Sequence, residues 1–252
     1  MALFKPVYQN QNMAALAAQP SSVTVSTDRE FGDALRNEAV QEITIGAPFT
    51  IGHWQREIEI KRPLIIDGRD NVMTMTAGFK ILSDNVTIKN MTIVVDPEEN
   101  LHVFGIEIVR PPFVFGEVAE PKCPKDIFIE KCNIVGGWSG AIRKVPTRTI
   151  TLEYPTPSHI AISMQEKTQV KVIDTTIQKC TTGIVVRDDA VCTLQRVTFK
   201  NNHTDTELMA RPMMYGAVAT PTGQINEENL SVEYKQFVQT AVRICGRGEM
   251  DI

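Results

Sequence analysis

Aromatic residues are scarce in this chain of 252 residues: they make up 6%, with two tryptophans, Trp54 and Trp138. Grooves that bind sugars lean on aromatic platforms, so few platforms are on offer. No apolar run approaches eighteen residues, which excludes a membrane-spanning helix of ordinary kind. An excess of positive charge is also missing. Lys and Arg number 26 against 30 Asp and Glu, a net charge of −4, and no broad attraction to nucleic acid or an anionic membrane follows from that. No C-x-x-C or H-x-x-x-H spacing marks a metal site, and no G-x-S-x-G marks a nucleophile elbow. The start, Met1 to Pro6, lacks a charged segment followed by an apolar core, so no signal peptide is expected and the chain is expected to be made in a cytoplasm.

What is present is an ordinary globular balance, 42% hydrophobic and 22% charged. Five cysteines, Cys123, Cys132, Cys180, Cys192 and Cys245, are an odd set that argues against a disulfide framework and for small buried side chains. Residues 1–24 are polar or small and read as an extended arm. Residues 25–252 read as one domain. A helix is expected over 27–40, capped by Thr27 with Glu30 as its capping-box partner, and with Phe31, Ala34, Leu35 and Val40 as its apolar stripe.

Beyond Gln41 a ten-residue pattern recurs, at 84–93, 125–134, 168–177 and 190–199, with a weaker fifth copy at 228–237. Apolar residues fall at its third, fifth and tenth positions, for example Val86, Ile88 and Ile93, or Cys192, Leu194 and Phe199. A short second strand accompanies each copy, beginning near 78, 105, 159, 183, 216 and 240, and an added turn is expected to open at Gly140. Short strands recurring every twenty to thirty-five residues or so are the pattern of stacked turns whose inward positions form ladders. Insertions are expected as loops at 110–124, 146–158 and 201–215, and a corner at Asp67-Gly68-Arg69-Asp70 is expected to need positive φ at Gly68.

Two segments carry a family likeness. Ile58 to Gly68, followed by Phe79 to Ile93, resembles a right-handed parallel β-helix of the pectate-lyase-like superfamily, and the preceding helix resembles the N-terminal cap of such solenoids. The resemblance spans about residues 24–245. It implies an all-β parallel β-helix with an N-terminal capping helix. It does not choose among the polysaccharide lyases, hydrolases, tailspikes and structural virion parts built on that fold.

For a lyase, the resemblance implies convergent carboxylates around Ca²⁺ and a basic residue. Asp96, Glu98, Glu99, Asp188 and Asp189 are the available oxygens, with Arg187 beside the last pair. For a glycoside hydrolase, the Asp188–Asp189 pair at a strand end is the clearest carboxylate constellation, with Glu107 and Glu130 as outward neighbours. In either enzyme Arg187, Asp188 and Asp189 would be catalytic. Otherwise the pair is a polar turn. Outside the lyase reading no metal is expected, and no resident cofactor is expected on any reading. His53, His102, His159 and His203 read as scattered, with His159 opening a strand. Trp138, in a glycine-rich turn, and Met213, Met214 and Tyr215 in the third loop are expected as partner contacts.

Two functions follow. The first is a non-enzymatic structural virion protein, a bacteriophage head-decoration or spike component. It would assemble as a homotrimer through its arm and solenoid edges, alongside other virion proteins such as capsid. The second is a polysaccharide lyase or glycoside hydrolase working in a groove on one sheet, with polysaccharide as its partner. Neither requires nucleic acid or a membrane. The expected location is the virion, or otherwise the cytoplasm.

Overall fold

A computed structural model describes residues 21–52, 58–76, 78–95, 103–113, 121–146, 151–155, 159–210, 220–228 and 240–244. It is all-β apart from one helix. The chain runs β1 (Ser21–Val25), α1 (Asp28–Arg36), β2 (Val40–Ile45), β3 (Phe49–Ile51), β4 (Ile58–Ile60), β5 (Leu64–Asp67) and β6 (Val72–Met75). Next come β7 (Phe79–Ile81), β8 (Val86–Val95), β9 (Val103–Ile108), β10 (Ile127–Val135), β11 (Ile142–Pro146), β12 (Thr151–Pro155) and β13 (His159–Met164). The series ends with β14 (Gln169–Ile173), β15 (Thr176–Gln178), β16 (Thr182–Arg187), β17 (Val191–Gln195), β18 (Thr198–Lys200), β19 (Thr204–Ala210), β20 (Gln224–Glu228) and β21 (Thr240–Ile244).

Two parallel sheets hold nearly all of these strands. The first follows the order β1-β2-β5-β8-β10-β14-β17-β20, with β3, β6, β15 and β18 beside it. The second follows β4-β7-β9-β13-β16-β19-β21. Along the chain, runs of one to three first-sheet strands are separated by single second-sheet strands, and strands pair with their counterparts from the previous pass. Register makes the ten-residue pattern a set of ladders. Ile88, Ile129, Val172 and Leu194 stand opposite one another in turn, as do Ile93, Ile134, Ile177 and Phe199. All eight are buried. Period-two alternation puts every second side chain inside, and the parallel register then stacks like on like.

The pattern's bend is a single residue in left-handed conformation: Asn90, Lys131, Asp174 and Arg196 have φ of 52°, 50°, 49° and 52°. Each strand turns there without losing its ladder. Arg196 donates to Asp174 through Nε at 2.5 Å and a second guanidinium nitrogen at 2.8 Å. That fork holds the Asp174 carboxyl below its ordinary range.

The helix packs against β1, β2 and β3. Its N-terminus is as expected, with the Thr27 hydroxyl accepting from Glu30 N–H at 3.3 Å and Glu30 accepting from Ser26 N–H at 2.7 Å. It ends at Arg36, earlier than expected, and Val40 opens β2 instead. Arg62 seals the C-terminus by donating to the carbonyls of Ala34 at 3.2 Å, Asn37 at 3.1 Å and Val40. Phe31 lies 5.9 Å from Phe49 and 6.3 Å from Phe79, ring to ring, and so fastens the helix to the core.

Several expectations are corrected. Residues 21–24, assigned to the arm, lie in β1, parallel to β2; residues 1–20 lie outside the described residues. The segment at Gly140 opens no added turn. It leads into β11, which pairs antiparallel with β12 and takes up part of the expected 146–158 loop. A short connection closes an antiparallel pair, whereas a parallel one needs a crossover. The expected loop at 201–215 contains β19. Its Thr206 and Glu207 are buried polar residues, which hid the strand from a search for apolar alternation. The strand opposite β17 is β20, ahead of the weak fifth copy at 228–237, most of which lies outside the described residues. So does most of the second strand expected at 216–220. At the Asp67 corner the positive φ falls on Arg69 (45°) and Asp70 (63°) rather than on Gly68. Gly68 is required for space instead, since a Cβ there would sit 2.1 Å from the Met91 Cβ.

Asp67 anchors this corner. Its carboxylate accepts from Arg69 N–H at 3.0 Å and from the Asn90 amide at 3.1 Å, and Lys89 Nζ lies 3.5 Å away. Burial opposes ionisation, but these donors and the ammonium outweigh it and hold the carboxyl below its ordinary range. A carboxyl lowered on folding adds stability above its unfolded value, and that stability is lost as pH falls through the folded one. Asp67→Asn is therefore expected to be less stable than the parent at pH 7. The gap should close on acidification between about pH 5 and pH 2, as followed by urea unfolding. A gap independent of pH would remove Asp67 from the acid response.

Candidate functional site

Arg187, Asp188 and Asp189 stand together where β16 ends. Asp188 and Asp189 have φ of 47° and 62°, and Ala190 N–H donates to Arg187 O at 3.0 Å. Two central residues with positive φ are the mark of a tight I′-type turn, which favours short polar side chains such as Asp. The turn stacks on a like one in the previous pass, where Glu166 and Lys167 both have φ of 58° and Lys167 N–H donates to Asp188 O at 2.9 Å. On the other side Asp189 N–H donates to the Thr222 hydroxyl at 3.1 Å. Asp189 is exposed and Asp188 half-buried. Arg187 is half-buried, and its Nε is sealed from solvent with no hydrogen-bond partner. The next glutamate, Glu166, is held by Arg110 at 2.7 Å.

The outward carboxylates do not converge on this strand end. Glu107 on β9 stands between Lys80 and Ser163. Glu130 on β10 lies in the other sheet, opposite Lys89. Asp96, Glu98 and Glu99 lie outside the described residues. Among the described residues no group of three or more His, Cys, Asp or Glu side chains is placed to hold a metal ion.

A second cluster forms at the opposite ends of the second-sheet strands. Trp138 follows β10. Its backbone N–H donates to Lys179 O at 2.9 Å and its indole Nε1 to Ala141 O at 3.3 Å. Its ring meets His203 edge-on at 5.4 Å between centroids. His159, 1% exposed, accepts the Gly137 N–H on Nδ1 at 2.5 Å. Asn202 donates to Asp205 at 3.0 Å and to Ile177 O at 3.1 Å. Burial pushes the Asp205 carboxyl up, against the lowering effect of the Asn202 amide.

β16 is six residues long, so this cluster and the Arg187 turn are separated by roughly 16–20 Å. The chain thus does not unite Trp138 with Arg187 and Asp188. Met213, Met214 and Tyr215 lie outside the described residues. Burial pushes the Cys132, Cys180 and Cys192 thiols up to about 12, which leaves them as uncharged packing. Cys245 lies outside the described residues.

No family model and no curated protein matches this chain. The histidine corner escaped the sequence reading because 159 and 203 are far apart in sequence. Their separation is twice the offset between the repeats at 168 and 190. The Thr181 hydroxyl, accepting from His159 N–H at 2.9 Å, marks the pass between them. Counting in repeats would have paired the two histidines.

Proposed function

We propose that the chain is a right-handed parallel β-helix serving as a non-enzymatic structural component of a virion, of the head-decoration or spike kind. One observation carries the structural reading: pass after pass pairs in parallel register over a continuous aliphatic ladder. Such a stack resists local opening, because each strand is bonded on both sides and packed beneath. Its ends are the exception. β1 pairs only with β2, and β20 only with β17, among the described residues. Unpaired strand edges of this kind favour association. The Asp188–Asp189 pair also has a sufficient structural reason in its turn.

Assembly as a homotrimer is the testable consequence. Light scattering on a sizing column should give a mass of about three chains for the full protein. A chain starting at Ser21 keeps β1 intact, and its trimer should weaken. A compact monomer in both forms would overturn the assembly reading.

A further inference from the structure

The corner at the base of the β11–β12 hairpin contains a hydrogen bond that acid can break. His159 accepts the Gly137 N–H on Nδ1, so that nitrogen carries no proton and the neutral ring holds its proton on Nε2. The same short loop is tied down on either side, by Gly136 N–H to Gln178 O at 2.9 Å and Trp138 N–H to Lys179 O at 2.9 Å. Trp138 Nε1 to Ala141 O then joins the loop to the start of β11. We propose that the His159–Gly137 hydrogen bond is an acid-sensitive latch that holds the loop leading into β11 against the start of β13.

Protonating Nδ1 sets two N–H donors face to face, and the attraction becomes a repulsion. The loop is the part that yields. His159 is fixed at its backbone, where its N–H meets the Thr181 hydroxyl at 2.9 Å and its carbonyl accepts Thr181 N–H at 2.8 Å. The loop has no room to sink, because a Cβ at Gly136 would already lie 2.5 Å from Lys179 O and 2.9 Å from Cys180 Sγ. It moves outward, and the hairpin base moves with it.

The surrounding titratable groups, among the described residues, leave His159 in control of the latch. The loop itself brings none. The corner after β15 brings Lys179, exposed, and Cys180, whose thiol is uncharged because burial pushes it up to about 12. The corner before β19 brings His203 and Asp205, the latter raised by burial. In neighbouring β9 the residue paired with His159 is Val103, and β16 opens with Thr182 after Thr181. His203 touches Trp138 rather than the latch hydrogen bond.

The test is hydrogen exchange of the Gly137 amide from pH 7.5 down to pH 4, corrected for the intrinsic rate. Protection should fall at least tenfold on acidification. The ¹⁵N shift of His159 Nδ1 in the unmodified chain should titrate with the same midpoint. His159→Gln should remove the pH dependence, and His203→Gln should keep it. Unchanged protection across the range, a response that survives His159→Gln, or a response lost with His203→Gln would each overturn the latch. Because the ¹⁵N midpoint is read in the parent chain, a mismatch overturns it even if His159→Gln does not fold.

Discussion

Replacing Gly68 by alanine is expected to destabilise the protein by about 3 kcal/mol or more, at the upper end of overpacking costs. The reason is contact between passes rather than backbone angle. A Cβ at Gly68 would lie 2.1 Å from the Met91 Cβ, 2.6 Å from Asn90 O and 2.8 Å from the Met91 Cα. Two of those atoms are backbone, and the third is fixed to it, so no side chain can swing aside. The corner also carries the Asp67 hydrogen bonds, and a shift there strains them together. Gly140→Ala is the control. Gly140 has φ of +90° but nothing within 4 Å of its added Cβ, so only the conformational cost of about 1–2 kcal/mol applies. Denaturant midpoints with unchanged m-values would compare the two. Equal losses at both positions would sink the close-packing account.

Phe79→Ala should cost about 3–5 kcal/mol, the range for emptying a large buried site. Phe79 is wholly buried, stands between Ile58 and Ile106 in the second sheet, and meets Phe31 of α1 edge-on. Removing it opens a cavity beneath the helix and loosens the helix's attachment. Phe31→Ala should be destabilising too, and the double variant should lose less than the two single losses combined. The shortfall should be about 0.5–1.5 kcal/mol, the coupling of an aromatic pair. Strict additivity would mean that the helix is held by other contacts, with the Arg62 seal the first to examine.

Both sites show how unevenly the structure could be read in advance. The apolar third, fifth and tenth positions correspond to buried residues in each of the four main copies, because a strand's period of two is local and needs only the backbone geometry of neighbouring residues. Thr27 as a helix cap was legible for the same reason, since its partner Glu30 lies one turn away. Residues whose role depends on a neighbour from another pass were not. Gly68 was expected to supply a positive φ, yet what it supplies is clearance from Met91, twenty-three residues on. β19 was read as loop because its buried Thr206 and Glu207 break the apolar rule. The Asp188–Asp189 pair was legible both as chemistry and as a polar turn; the turn is there, and what the sequence did not show is its stacking on Glu166 and Lys167.

The sequence by itself determined the all-β class, the repeating inward positions and the capped helix ahead of the repeats, because each rests on the spacing of residues close together in the chain. Only the tertiary structure decided which passes lie side by side. It separated Trp138 from Arg187 by the length of a strand, and it placed His159 beneath Gly137. Those relations depend on register between strands twenty to forty residues apart, and register is set by the summed packing of whole ladders rather than by any single motif.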